Sequence, residues 1–158
     1  MSVFFTSDPH LGHKAILKYR GCFSSTTDHD DAFLSQVDAL KKRDVLKILG
    51  DVVFDGVKYD YYVNRLAAAR CRVQIMLGNH DSKNLYKSGL EIMLGMERYK
   101  EFWLSHCPIH PRELRGRVNI HGHLHQESID GYINVNWDVN NYRLVSLDDI
   151  RWKTKEQG

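Results

Sequence analysis

Residue types that bind metals or move protons recur in this chain directly after short apolar runs. Asp8-Pro9-His10 follows Val3-Phe4-Phe5-Thr6-Ser7, Gly50-Asp51 follows Val45-Leu46-Lys47-Ile48-Leu49, and Gly78-Asn79-His80-Asp81 follows the stretch from Arg72 to Leu77. Later, His106 closes the run from Tyr99 to Ser105, and Gly122-His123-Leu124-His125 closes the run from Arg117 to His121. Together Asp8, His10, Asp51, Asn79, His106, His123 and His125 offer imidazoles, carboxylates and one amide but no thiolate. Such hard or borderline donors suit Mn, Fe, Zn, Ni or Co rather than a thiolate structural site. They are too many for one catalytic ion. Two ions about 3.5 to 4 Å apart, sharing one carboxylate, use the whole set and clamp the attacking and leaving oxygens at phosphorus. His80 adds an acid-base group beside a ligand. Taken singly, each residue is more often structural: Asp81 reads also as an N-cap and His80 as a turn residue. The joint pattern at successive strand ends outweighs that reading.

The runs themselves must be the positioning elements. Val3 to Ser7 reads as a central strand that Pro9 prevents from continuing, and Asp8 and His10 share one side of the extended backbone. Leu11 to Arg20 reads as a helix stopped by Gly21, with His13 in its first turn. Phe23 to Thr27 reads as a loop, and Asp28 as the cap of a helix carrying Phe33, Leu34, Val37 and Leu40 at helical spacing. Asp28, Asp30 and Asp31 suit the positive end of that helix dipole better than a metal. Strands at Val45 to Leu49 and Arg72 to Ile75, with a helix from Lys58 to Arg70 between them, give a β-α-α-β-α-β order. That order predicts a largely parallel sheet with right-handed crossovers and polar groups converging on its carboxyl edge. Asp81 is followed by a helix start at Ser82 to Tyr86. The second half predicts strands at Tyr99 to Ser105, Arg117 to His121, Tyr132 to Asn136 and Tyr142 to Leu147, then a helical turn to Trp152. Short strands with little helix between them imply a second, mixed or antiparallel sheet.

Composition sets the bounds. At 158 residues, 42% hydrophobic and 27% charged, the chain is expected to be a single domain over residues 1–158 with a real core. A formal charge of +2 gives no argument for a nucleic-acid or membrane partner. Three scattered cysteines, Cys22, Cys71 and Cys107, fit neither a disulfide framework nor a zinc knuckle and read as buried or free thiols. Without a leader pattern or a run of about 18 apolar residues, a cytoplasmic protein with no membrane association is expected.

The ordered set Asp8-Pro9-His10, Gly50-Asp51, Gly78-Asn79-His80-Asp81, Ser105-His106 and Gly122-His123-Leu124-His125 resembles the calcineurin-like metallophosphoesterases. The resemblance spans nearly the whole chain and is closest to small, cap-less bacterial and phage members. Phe5-Thr6-Ser7-Asp8 with Gly12-His13, and Val145-Ser146-Leu147-Asp148-Asp149-Ile150, carry that likeness. It implies an α/β fold, a four-layer αββα sandwich of two mixed sheets. It also implies that Asp8, His10 and His125 hold one divalent ion, that Asp51 bridges, and that Asn79, His106 and His123 complete the second site. Manganese is the first expectation for the pair, with Fe, Zn, Ni or Co as alternatives. His80 matches the family's catalytic histidine. The acidic or histidine residue that some relatives carry three positions after the bridging aspartate is replaced by Phe54, which leaves Asp55, Asp81 or water to orient His80. His13 and Arg20 are candidate contacts to a substrate phosphate. His29, His110 and His121 read as structural or solvated.

The reaction expected from the resemblance is in-line attack on phosphorus by a hydroxide held between the metals, with His80 at the leaving oxygen. A short, uncapped chain favours a phosphodiesterase acting on a nucleotide-type or cyclic ester. A phosphomonoesterase or nuclease on the same site, and an inactive binding scaffold of the same fold, are the alternatives. No obligatory protein partner is evident, and the sequence leaves the oligomeric state open.

Overall fold

A computed structural model describes residues 1–54 and 56–156. Among these residues nine strands form two sheets. In the first, β1 (Val3–Thr6), β2 (Val45–Leu49), β3 (Arg72–Met76) and β4 (Glu91–Ile92) run parallel in the order β4-β3-β2-β1. The last strand, β9 (Val145–Ser146), joins β1 antiparallel. The second sheet orders β5 (Met96–Tyr99), β6 (Phe102–Ser105), β7 (Val118–His121) and β8 (Tyr132–Asn134), with an antiparallel β5-β6 hairpin and parallel pairs thereafter. Both sheets are mixed, as the resemblance implies.

Alternation along each central strand explains the layers, because successive side chains point to opposite faces. On β2, Leu46 and Ile48 join the core with Phe33, Leu34 and Val37 of α1 (Thr26–Ala39) and Val63 and Leu66 of α2 (Tyr59–Ala67). Leu49 on the opposite face joins Phe5 and Met76 against Phe102, Leu104, Ile120 and Ile133 of the second sheet. Apart from Lys47 and Gln74 the interiors of these strands are therefore apolar on both faces, the signature of a covered parallel sheet. The outer cover of the second sheet is thin. It includes the single turn α3 (Pro111–Leu114), whose Leu114 carbonyl accepts from Trp103 Nε1 at 3.2 Å. The final helix α4 (Leu147–Glu156) sends Leu147 and Ile150 into the core between the sheets.

Register brings the polar strand ends together. Thr6 pairs with Ile48 and Ile48 with Ile75, so Asp8, Asp51 and Asn79 leave the same edge. Leu104 pairs with Ile120 and Ile120 with Ile133, which does the same for His106 and His123. Ser7 then links the two sheets, its N–H donating to the Val135 carbonyl and its carbonyl accepting from the Trp137 N–H, both at 3.0 Å.

Several elements differ from the sequence reading. The helix expected over Leu11 to Arg20 is a 3₁₀ run from Lys14 to Lys18. Leu11 is instead fully buried and continues sheet-like pairing beside Val53, and Gly12 turns the chain at φ 79°. The cap of α1 is Ser25, whose hydroxyl accepts the Asp28 N–H at 3.0 Å, so the helix starts two residues before Asp28. The strand expected over Tyr99 to Ser105 is half of a hairpin that turns at Lys100 with φ 53°. The strand expected over Tyr142 to Leu147 shrinks to Val145 and Ser146, because Asn141 and Tyr142 take left-handed backbone. All three cysteines are free, with Cys71 buried and Cys22 and Cys107 exposed.

Candidate metal centre

Asp8, His10, Asp51, His123 and His125 all adopt positive φ, between 47° and 70°. Non-glycine residues rarely take this conformation, and its concentration at one place is the mark of a constrained site. The conformation ends each strand abruptly and turns its polar side chain back over the sheet edge. Asp8 Oδ2 accepts from the Ser7 hydroxyl at 2.5 Å and from the His123 N–H at 2.9 Å, which ties the first sheet to the second. Asp8 Oδ1 and His10 Nε2 are buried with no hydrogen-bond partner. They lie 3.8 Å apart. His10 is a neutral base, since burial first and the positive charge of Arg20 next lower its pKa to about 2. That separation is therefore no ion pair but two lone-pair donors left facing one another. Buried acceptors in that state are costly unless a cation sits between them. His125 completes the group, its ring stacked on His10 at 5.6 Å. His125 Nδ1 bonds to Asp138 Oδ2 at 3.0 Å, which raises the His125 pKa and aims Nε2 away from Asp138.

The second half repeats this logic. His106 Nδ1 is 2.7 Å from the Leu49 carbonyl, an acceptor only, so the proton resides there and Nε2 carries the lone pair. Nε2 lies 3.0 Å from Asn79 Oδ1, and His123 Nδ1 lies 3.0 Å from the same oxygen. Asp51 Oδ1 accepts the His80 N–H at 2.9 Å. Its other oxygen, Oδ2, stands 3.8 Å from His10 Nε2 and 3.6 Å from His106 Nε2. One carboxylate oxygen thus reaches both halves. Burial pushes the Asp51 pKa up. Gly78 is required because a Cβ there would collide with the Asp51 carboxylate, and a Cβ at Gly122 would collide with Ser7 and Asp8. The donor set, its stranded acceptors and these glycine cradles fit divalent cations. All seven strand-end residues of the sequence reading converge here.

The supporting shell was less visible in the sequence. Arg20 is 1% exposed, so it does not reach out to a substrate phosphate as expected. Its Nη2 donates to the Asp8 carbonyl at 2.6 Å, and its Nη1 to the Pro9 carbonyl at 3.2 Å and to His29 Nε2 at 2.9 Å. Receiving that bond on Nε2 leaves the His29 proton on Nδ1, which donates to Asp30 Oδ1 at 2.8 Å. Asp30 Oδ2 in turn accepts from the Tyr62 hydroxyl at 2.5 Å and the Gly12 N–H at 3.1 Å. Asp30 is thus an interior brace for the loop from Asp8 to Gly12, not a solvated first-turn acid. Asp138, 3.6 Å from Arg20 Nη2, was missed altogether. Its only signal is that Asn136 and Asp138 follow a strand end, as the ligands do.

Asp81 also corrects an expectation. Its Oδ1 accepts the N–H groups of Val52 and Val53 at 2.8 and 3.2 Å, and its Oδ2 that of Gly78 at 2.9 Å. Both oxygens are spent on binding the loop after β2 to the loop after β3, so Asp81 neither orients the His80 ring nor caps the next helix. Ser82 caps that 3₁₀ run. Asp55 lies outside the described residues. His80 is exposed, 5.7 Å from His10 between ring centroids, and lines a cleft of about 480 Å³ together with His13, Tyr19, His125 and Glu127. His13 sits at that rim and stacks on Phe54. Of the remaining histidines, His29 and His121 are buried, and His110 is exposed and caps α3.

Comparison with known proteins decides the family. The sequence profile described as calcineurin-like phosphoesterase matches residues 1–157. The chain belongs to the calcineurin-like phosphoesterase family. It is similar to the Gene 66 proteins of two mycobacteriophages. Identity is 26% to that of phage L5, over 94% of this chain and 92% of that protein. Identity is 28% to that of phage D29, over 95% and 94%. A solved structure of a protein of unknown function from Aquifex aeolicus shares the fold, with a TM-score of 0.77 at 24% identity over 96% of this chain and 98% of that one. This calcineurin-like phosphoesterase is accordingly a metal-dependent phosphoric ester hydrolase, and its His and Asp clusters are candidate sites for the divalent ions that the family uses. Among the described residues no helix is long and apolar enough to cross a membrane.

Proposed function

We propose that the protein is a dinuclear phosphodiesterase acting on a nucleotide-type or cyclic phosphodiester. The observation that carries the dinuclear part is Asp51 Oδ2, which stands within 3.8 Å of ligand nitrogens from both halves of the centre. Asp8, His10 and His125 would hold one divalent ion, and Asn79, His106 and His123 the other, with Asp51 shared and manganese the leading candidate. Two such ions, when bound, supply a nucleophilic oxygen at neutral pH and neutralise the phosphoryl charge.

The chain's own residues do the rest. Asp51 uses one oxygen to fix the His80 backbone, so His80 starts from a defined point at the open mouth of the cleft. Its ring protonates the leaving oxygen as water adds to phosphorus and the ester P–O bond breaks. Asp138 and the Leu49 carbonyl hold His125 and His106 in the tautomers whose free nitrogens face the centre. Asn79 and His80 are exposed, and a site this open accommodates a phosphate carrying two ester arms.

The test is a panel of bis-p-nitrophenyl phosphate, p-nitrophenyl phosphate and cyclic nucleotides, each with Mn, Ni and Zn. Faster turnover of the diester is expected. A strong preference for the monoester at saturating metal would reassign the protein as a monoesterase, and no turnover with any metal would make it a binding scaffold.

A further inference from the structure

The His13 and Phe54 rings lie parallel, 4.2 Å apart between centroids and 8° apart in plane. This pair divides two clefts. His13 lines the one that holds His10 and His80, and it also lines a second cleft of about 680 Å³ on which Phe54 stands. The second cleft therefore begins one ring away from the candidate metal centre, since His13 and His10 are 5.7 Å apart between centroids.

Its walls combine three properties. They are largely apolar, and they expose side chains that a folded chain ordinarily hides: Phe54 is 37% exposed and Val57 fully so. On one side they are braced, because the Tyr62 hydroxyl is bound to Asp30 and the Tyr62 ring packs against Gly12, where a Cβ would approach it to 3.0 Å. They also carry two cations at the rim, where Lys14 and Lys58 are exposed and, among the described residues, form no ion pair. Apolar walls with an exposed aromatic ring suit a flat heterocycle, and two ammonium groups at the rim suit a phosphate. An aliphatic arm would leave the lysines unused, and a bare polyanion would leave the rings unused. The volume is that of an ordinary small-ligand site.

We infer that this second cleft is the subsite for the nucleoside arm of the substrate, with the base against Phe54 and Val57 and an anionic group facing Lys14 and Lys58. The assignment rests on the phosphodiesterase reading for its place in catalysis, but the binding it requires is independent of turnover. Thr27 lines the cleft, is exposed and touches none of the candidate ligands, so Thr27→Trp fills the space. Val57→Asp, at a fully exposed position, is the variant to use if the tryptophan disturbs folding.

The experiment has two arms. Saturation-transfer NMR with AMP on chelator-treated protein should label the adenine protons in wild type, and the signal should be lost in the Thr27→Trp and Val57→Asp variants. Ribose 5-phosphate, which lacks the base, should give no signal. With Mn present, either variant should raise KM for thymidine 5′-(p-nitrophenyl phosphate) relative to methyl p-nitrophenyl phosphate by about tenfold or more, the scale of losing a stacked base. AMP binding that is absent from wild type, or that survives both substitutions, overturns the subsite. So does an unchanged ratio of KM values. Base-dependent AMP binding without hydrolysis of either ester overturns the phosphodiesterase reading and leaves the subsite standing.

Discussion

Arg20 reaches the carbonyl oxygen of Asp8 at 2.6 Å from a side chain with no solvent exposure. A fully buried guanidinium is thereby spent on the backbone of one candidate ligand, and through Asp138 it also abuts the residue that aims another, His125. Charge, loop conformation and ligand direction are coupled at this one residue.

Replacing Arg20 should therefore cost both stability and metal. Arg20→Met leaves two carbonyls and His29 without their donor and Asp138 without its cation, a loss of about 3 to 5 kcal/mol. Metal affinity should fall about 10- to 100-fold, as expected when an orienting group behind a ligand is removed. Arg20→Lys should rescue little, because an ammonium cannot reproduce the planar fork. Urea unfolding and metal titration measure the two effects, and unaltered affinity in a folded Arg20→Met protein would refute the coupling.

Asp51→Asn should empty both halves of the centre together. The amide oxygen can still accept the His80 N–H, so the fold is retained, but the shared negative charge is gone. Elemental analysis should show two ions lost. Gly78→Ala, whose Cβ would collide with the Asp51 carboxylate, should act in the same direction without changing a single ligand. Retention of two ions and most activity in Asp51→Asn would exclude the dinuclear assignment.

His80→Ala should spare fold and metal, because the His80 ring is exposed and only its backbone is tied to Asp51. The loss should fall on the rate, by about 10² to 10⁴. An alkyl diester should suffer more than a nitrophenyl diester, whose leaving group needs no proton. Metal content, thermal unfolding and rates on both esters separate this role from a structural one, which would lower all of them together.

Asp44 should contribute to acid stability far from the site. Its carboxylate accepts the Ser2 N–H at 2.8 Å and the Lys41 N–H at 3.0 Å, and these bonds, the Ser2 bond foremost, hold its pKa below the ordinary aspartate value. The folded protein then binds this proton less readily than the unfolded chain does. The contribution is complete above the unfolded value of about 3.9 and is lost as pH falls through the lower folded value. Asp44→Asn should lower the urea midpoint at about pH 7 and flatten its decline below about pH 4. An undiminished acid slope in that variant would show that these bonds do not carry it.

The candidate ligands were legible because each sits within a few residues of a strand end, where the apolar run breaks, beside a glycine or proline in every case but His106, and the chemistry follows at once. Parallel pairing then brings those ends together without further information. The shell behind them was not legible for the opposite reason. Arg20, His29, Asp30 and Asp138 come from separate segments, with no spacing in common, and meet only through tertiary packing. Asp30 also looked adequately explained by the dipole of α1. Asp81 misled in a similar way, since an aspartate beside a serine before a helical turn satisfies the rule for a cap, while its oxygens were already taken by three backbone N–H groups. The short 3₁₀ run after Leu11 reflects the demand of the site itself, which holds residues 8–12 in extended and left-handed backbone and leaves too little chain for a full helix.

The pairing of β1 with β9 has a consequence for how the chain is made. Phe5 pairs with Val145 and Phe4 with Ser146, so β1 leaves the ribosome long before the strand that becomes its outer neighbour. At translation speeds of about 5 to 20 residues per second, the outer edge of β1 stays open for many seconds. During that time it is a template on which a neighbouring nascent chain can add a strand. A polypeptide lacking Val145 and Ser146 would therefore be sticky rather than merely inactive, and the late pairing of β9 with β1 protects this protein from its own copies.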